Sequence, residues 1–168
     1  MKKPVFTLAF AFLAAVAFAH GLHFAQATQL DGMPFSFKMY EGKAMVIVYM
    51  STTSQACRDA VAFINKLYKE YPRDEVYIAA AFLRESPQEL AAFKTGFYPL
   101  FPLLYNTQRL QAVAPLETNI LPTFVIIDKR HRVTKRVAGL DRNAVREELE
   151  KALIVPAPSA KKMGLSWK

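Results

Sequence analysis

The chain has 168 residues, a formal net charge of +8, 52% hydrophobic residues and a single cysteine. One thiol cannot close an internal disulfide, so a covalent framework is excluded and stability must come from an apolar core. The apolar fraction is ample for a soluble fold, and the length suits one domain behind a leader.

The leader is the first feature along the chain. Lys2 and Lys3 precede an apolar run from Pro4 to Phe18, broken only by Thr7. Ala17-Phe18-Ala19 and Ala25-Gln26-Ala27 each fit a small-x-small cleavage pattern. This composition predicts a secretory signal peptide over residues 1–19, with cleavage after Ala27 or an uncleaved membrane anchor through residues 4–19 as alternatives. The expected location is periplasmic or otherwise extracytoplasmic.

Phe35 to Tyr40 alternates weakly and reads as a strand, with Glu41-Gly42-Lys43 as a turn. Ala44 to Met50 is continuous, apolar and rich in β-branched residues, the pattern of a strand buried on both faces. Cys57, Ala60, Val61, Ile64, Leu67, Tyr68 and Tyr71 then recur at helical steps and make one apolar face, ended by Pro72. Val76 to Phe82 is a second buried strand. Ser86, Pro87 and Glu89 form the start of a helix, with a capping box, and Gly96 is its expected stop.

The aromatic, proline-containing stretch from Phe97 to Thr107 reads as an irregular loop or edge segment, its rings serving the core rather than a binding surface. Phe124 to Asp128 and Val133 to Val137 are strands joined by a short turn, hence an antiparallel hairpin. Asp141 caps a last helix to about Leu153, and residues 156–168 read as a disordered tail. The order strand–helix–strand–helix–strand–strand–helix implies an α/β fold: a mixed sheet with helices on both faces.

Chemistry-bearing residues are few. Five of the eight residues from Lys129 to Arg136 are basic, which reads as a solvated hairpin rather than a nucleic-acid surface. His131 lies in that turn and is expected to be solvated, and Asp128 to shape the turn. His20 and His23 would approach a new N-terminus after cleavage at Ala19, but no third ligand is evident, so neither metal nor cofactor is expected. Cys57 opens a helix three residues after Ser54, whose hydroxyl suits an N-cap. The cysteine itself suits a small buried hydrophobe, although Arg58 and Arg84 are cations that could activate a thiol.

Three segments resemble the thioredoxin fold and, in detail, its exported TlpA-type redoxin branch, over roughly Phe35 to Leu153. GKAMVIVYMSTTSQAC, from Gly42 to Cys57, resembles the branch's strand followed by Trp-Cys-x-x-Cys. ILPTFVIID, from Ile120 to Asp128, resembles the segment whose proline is cis and faces the redox site. RVAGL, from Arg136 to Leu140, resembles the closing strand before the last helix.

The resemblance implies a thioredoxin-like domain over residues 28–155. It places Thr53 where the branch has tryptophan, Ser54 at the attacking cysteine and Cys57 at the resolving one. A serine hydroxyl is not ionised near neutral pH and cannot open a disulfide. The implied function is therefore a degenerate thiol-disulfide oxidoreductase that binds a protein partner through a groove near Thr53, Leu121 and Pro122, or that forms a mixed disulfide with a thiol-containing protein. Ser54-Gln55-Ala56-Cys57 also resembles the Thr/Ser-x-x-Cys of peroxiredoxins, which would make Cys57 the reactive thiolate of a peroxidase or single-thiol reductase. Against that, Met50 stands at the peroxiredoxin proline and Pro122 at its peroxide-binding arginine.

Overall fold

The computed structural model describes residues 26–157. The signal segment, His20, His23 and residues 158–168 lie outside the described residues.

Seven strands and four α-helices follow one another among the described residues. They are β1 (Ala27–Gln29), β2 (Pro34–Phe35), β3 (Ala44–Met50), α1 (Gln55–Glu70), β4 (Val76–Phe82), α2 (Pro87–Phe97), β5 (Leu103–Tyr105), α3 (Gln108–Val113), β6 (Thr123–Ile127), β7 (Val133–Ala138) and α4 (Arg142–Ile154). The strands form one sheet in the order β2-β1-β5-β4-β3-β6-β7. The two crossovers through α1 and α2 make β3, β4 and β5 parallel, because a strand–helix–strand unit returns the chain in the same direction. β6 runs antiparallel to β3, and β7 to β6, as the short turn at Asp128–Arg132 requires.

The continuous apolar runs of β3 and β4 are explained by burial on both faces. Along β3, Val46, Val48 and Met50 point to one core, and Met45, Ile47 and Tyr49 to the other. The first core is covered by α1, α2 and α4 through Ile64, Leu67, Leu90, Phe93, Val145 and Leu149. The second is covered by α3, through Leu110, and by a 3-10 turn at Phe37–Tyr40. The three longer helices thus share one face, and the other is closed by shorter pieces.

The N-terminal strand expected over Phe35–Tyr40 is instead β2 plus that 3-10 turn. The rings of Phe35, Tyr40 and Tyr77 stack there, and the coiled backbone brings Phe37 and Tyr40 onto the sheet together. Gly96 does not stop α2. The helix continues to Phe97 and closes at Tyr98, a non-glycine residue at φ 51°. Asn65 holds this unusual turn at two points: its Nδ2 donates to the Tyr98 carbonyl at 3.1 Å and its Oδ1 accepts from the Leu100 amide at 2.7 Å. The segment read as loop contains β5 and leads into α3. Its side chains divide: Phe101, Leu103 and Leu104 are buried, whereas Phe97, Tyr98 and Leu100 are exposed.

One further expectation changes at the β6–β7 turn. His131 is not freely solvated: its Nε2 lies 3.2 Å from the Tyr40 carbonyl and its ring packs on Phe37. The basic hairpin is solvated as expected, with Arg130, Arg132 and Lys135 exposed, and several of its charges are paired at the surface. Lys129 pairs with Glu75, Arg132 with Asp128 and Arg136 with Glu117, while Arg130 Nε donates to the Pro156 carbonyl. Asp128 is fully buried and accepts from the Arg130 and Arg132 amides and from the Arg132 guanidinium, which is how it shapes the turn.

Candidate functional site at the β3–α1 turn

β3 delivers the chain to the edge of the first core at Met50, and the next residues must turn sharply into α1. Ser54 caps that helix. Its backbone is extended, and its Oγ accepts the Cys57 amide at 3.3 Å. Such a cap contributes about 1 kcal/mol. Helical spacing then sets Cys57 on the inner face beside Ala60 and Val61, where it has no exposed surface. The Cys57 sulfur also accepts a hydrogen bond from the Ser51 amide at 3.4 Å.

The turn is braced from outside. Arg58 reaches back to donate to the Thr52 carbonyl at 2.8 Å, and its Nε and Nη2 donate to Gln55 Oε1 at 3.1 and 2.9 Å. Its guanidinium is therefore committed to the turn's backbone and to Gln55. Thr53 is exposed and shares a 3.0 Å hydroxyl contact with Ser51. Glu85, in the loop after β4, accepts the Thr52 amide on Oε1 at 3.0 Å and the Arg84 amide on Oε2 at 3.2 Å. One carboxylate thus fastens two loops that come from adjacent strands.

Across from this turn lies the segment between α3 and β6. The Leu121–Pro122 peptide is cis, and Pro122 is buried. The Gly139 amide, at φ 77°, donates to the Pro122 carbonyl at 2.8 Å, so the end of β7 holds the proline in place. Tyr49 Oη donates to the Ala114 carbonyl and Arg136 Nε to the Pro115 carbonyl, both at 2.7 Å. These bonds fix the start of the segment against β3 and β7.

Between the two loops runs an open groove of about 260 Å³, lined by Met50, Ser51, Leu83, Arg84, Glu85, Leu116, Thr118, Asn119 and Leu121. It joins Leu121 to the β3–α1 turn, but on the Ser51 side. Thr53, Ser54, Cys57 and Pro122 do not line it. Glu85, Leu116 and Asn119 were not singled out from the sequence. They lie far along the chain from Ser51, and no local pattern marks a residue whose partner is on another loop. Among the described residues, no group of three or more His, Cys, Asp and Glu is placed to hold a metal ion, and no helix is long and apolar enough to cross a membrane.

The mixed sheet, the capped helix that follows β3 and the proline segment facing its start make up a thioredoxin fold. Comparison with known proteins narrows this. ResA, a thiol-disulfide oxidoreductase of Geobacillus thermodenitrificans (strain NG80-2), is 26% identical over 124 residues, covering 73% of this chain and 71% of that protein. A thiol:disulfide interchange protein of the thioredoxin family from Chlorobium tepidum TLS superimposes with a TM-score of 0.65 at 18% identity, covering 77% of this chain and 94% of that one. A secreted Mycobacterium tuberculosis disulfide oxidoreductase gives 0.61 at 17%, covering 79% and 98%. No protein-family model matches the chain. The chain has the thioredoxin fold and is similar in sequence to thiol-disulfide oxidoreductases.

Proposed function

We propose that this chain is an exported thioredoxin-like protein that no longer runs a dithiol cycle and instead holds a polypeptide partner in the groove between Ser51 and Leu121. One observation carries the reading. The hydroxyl at the attacking position caps α1, and the chain's single thiol is fully buried behind it. A thiol without exposed surface meets neither a disulfide nor a peroxide unless the turn opens. Its burial, with Arg58 committed to Thr52 and Gln55, also speaks against the peroxidase alternative. The groove's apolar wall of Met50, Leu83, Leu116 and Leu121 suits an extended, largely apolar segment.

Export rests on the leader's composition, and β1 bears on where it would be cut. Ala27 is buried and pairs with Phe35, and Gln26 Oε1 accepts the Phe37 amide at 2.8 Å. Cleavage after Ala27 would break this corner, so cleavage after Ala19 is favoured. N-terminal sequencing of the processed protein tests the point, and a start at Thr28 would refute it.

Insulin reduction in the presence of dithiothreitol tests the main reading, with native-state alkylation of Cys57 as its partner measurement. No turnover above the reductant alone, with alkylation only in denaturant, is expected. Turnover that disappears in Cys57→Ala would overturn it.

A further inference from the structure

A second concave site lies away from the turn, between the middle of α1 and the start of α4. It is a cleft of about 350 Å³ lined by Ala62, Phe63, Lys66, Arg142, Asn143 and Arg146. Three of its six residues are cations, drawn from two helices. The guanidinium carbons of Arg142 and Arg146 lie 5.9 and 5.7 Å from the centre of the same Phe63 ring. These two arginines are also an i,i+4 pair on α4, where like charges repel. The ring offsets part of that repulsion through its negative face.

Among the described residues Glu70 is the one carboxylate ion-paired with these cations. It pairs with Arg146 at 2.7 Å and more loosely with Lys66 at 3.7 Å. Among the described residues Arg142 has no ion pair. The cleft therefore carries uncompensated positive charge above an aromatic floor.

We propose that this cleft binds the phosphoryl group of a small anionic ligand. An arginine fork meets two oxygens of an oxyanion side by side. Two forks and an ammonium approaching from different helices suit a tetrahedral group with three or four oxygens and more than one charge. A planar carboxylate has too few oxygens to satisfy all three. The Asn143 amide adds a neutral donor or acceptor at the same mouth. The volume exceeds that of a phosphate ion and leaves room for a substituent along Ala62 and Phe63. Glu70 would compete with the ligand for Arg146 and Lys66, so its loss should tighten binding. This site is independent of the groove beside Ser51.

Calorimetric titration of the full chain with inorganic phosphate and with pyrophosphate tests the proposal. A parallel arm measures co-sedimentation with phosphatidylglycerol and phosphatidylcholine vesicles. Saturable binding is expected, weakened about tenfold by Arg142→Gln, a loss equivalent to ~1.4 kcal/mol. Glu70→Gln should strengthen it, and Lys38→Gln, which removes one charge from the opposite face of the sheet, should leave it unchanged. Arg142-dependent binding to phosphatidylglycerol alone would assign the phosphoryl group to a lipid headgroup; binding to the soluble anions would assign it to a free compound. No saturable binding in either arm overturns the proposal, as does an equal loss in Arg142→Gln and Lys38→Gln.

Discussion

The Cys57 sulfur and the Ser51 backbone amide stand 3.4 Å apart, with the amide donating to the sulfur. The thiol is thereby tied to the end of β3 as well as to its own helix, and it has no exposed surface. Its chemistry depends on whether this corner opens.

Native-state alkylation should therefore be slow. Cys57 is expected to react with iodoacetamide at a rate that follows local opening, and to react freely once urea unfolds the chain. Glu85→Ala removes the acceptor for the Thr52 and Arg84 amides and should raise the native rate roughly tenfold, since one hydrogen bond to a charged group is worth about 1.5 kcal/mol or more. An unchanged rate would mean that Glu85 does not hold the turn.

Ser54 offers a gain-of-function test. Ser54→Ala removes the cap on the Cys57 amide and should cost about 1 kcal/mol in urea unfolding. Ser54→Cys has a similar cost, but it puts a thiol at a helix N-terminus, a setting that favours thiolate, three residues from Cys57. Insulin reduction, expected to be absent from the parent chain, should then appear. Its failure to appear would show that a thiol at position 54 is not sufficient for dithiol chemistry in this turn.

The segment facing the turn depends on two distant bonds. Tyr49 is buried, and its hydroxyl donates to the Ala114 carbonyl. Burial raises its pKa above the usual phenol range, with Arg136 pulling weakly the other way, so the hydroxyl stays protonated and able to donate at all ordinary pH. Tyr49→Phe leaves that carbonyl without its donor. It should cost about 1 kcal/mol in urea unfolding and speed hydrogen exchange through residues 114–121.

Asp128 makes part of the stability depend on pH. Burial pushes its carboxyl up, but hydrogen bonds from the Arg132 amide and guanidinium and from the Arg130 amide outweigh it. The net pKa lies below the ordinary value. A depressed folded pKa means that the stabilisation is present above the unfolded pKa, about 3.9 for Asp, and is lost as pH falls through the folded value. Asp128→Asn should therefore destabilise by roughly 1–3 kcal/mol at pH 7 and by much less near pH 2, measured by urea unfolding at both. An equal loss at both values would place its role in packing rather than charge.

Much of this molecule was legible locally. β3, β4 and the starts of α1, α2 and α4 follow from runs of apolar residues and from the caps Ser54, Ser86 and Asp141, because strand burial and helix capping act within a few residues. Three features were not. α3 is six residues long with one buried side chain, too short to show a period. The 3-10 turn is stabilised by rings stacked from β2 and β4. The end of α2 depends on Asn65, 33 residues upstream of Tyr98.

The candidate site divides the same way. The amino-acid sequence by itself determined that a serine stands three residues before the one thiol and that this thiol falls on the apolar face of α1. Only the tertiary structure decided that Ser51 reaches that thiol, that Glu85 braces the turn and that Leu121 shares a groove with Ser51. Those contacts join segments 6 to about 70 residues apart in the chain, and they exist because the crossover connections set β3, β4 and β6 side by side.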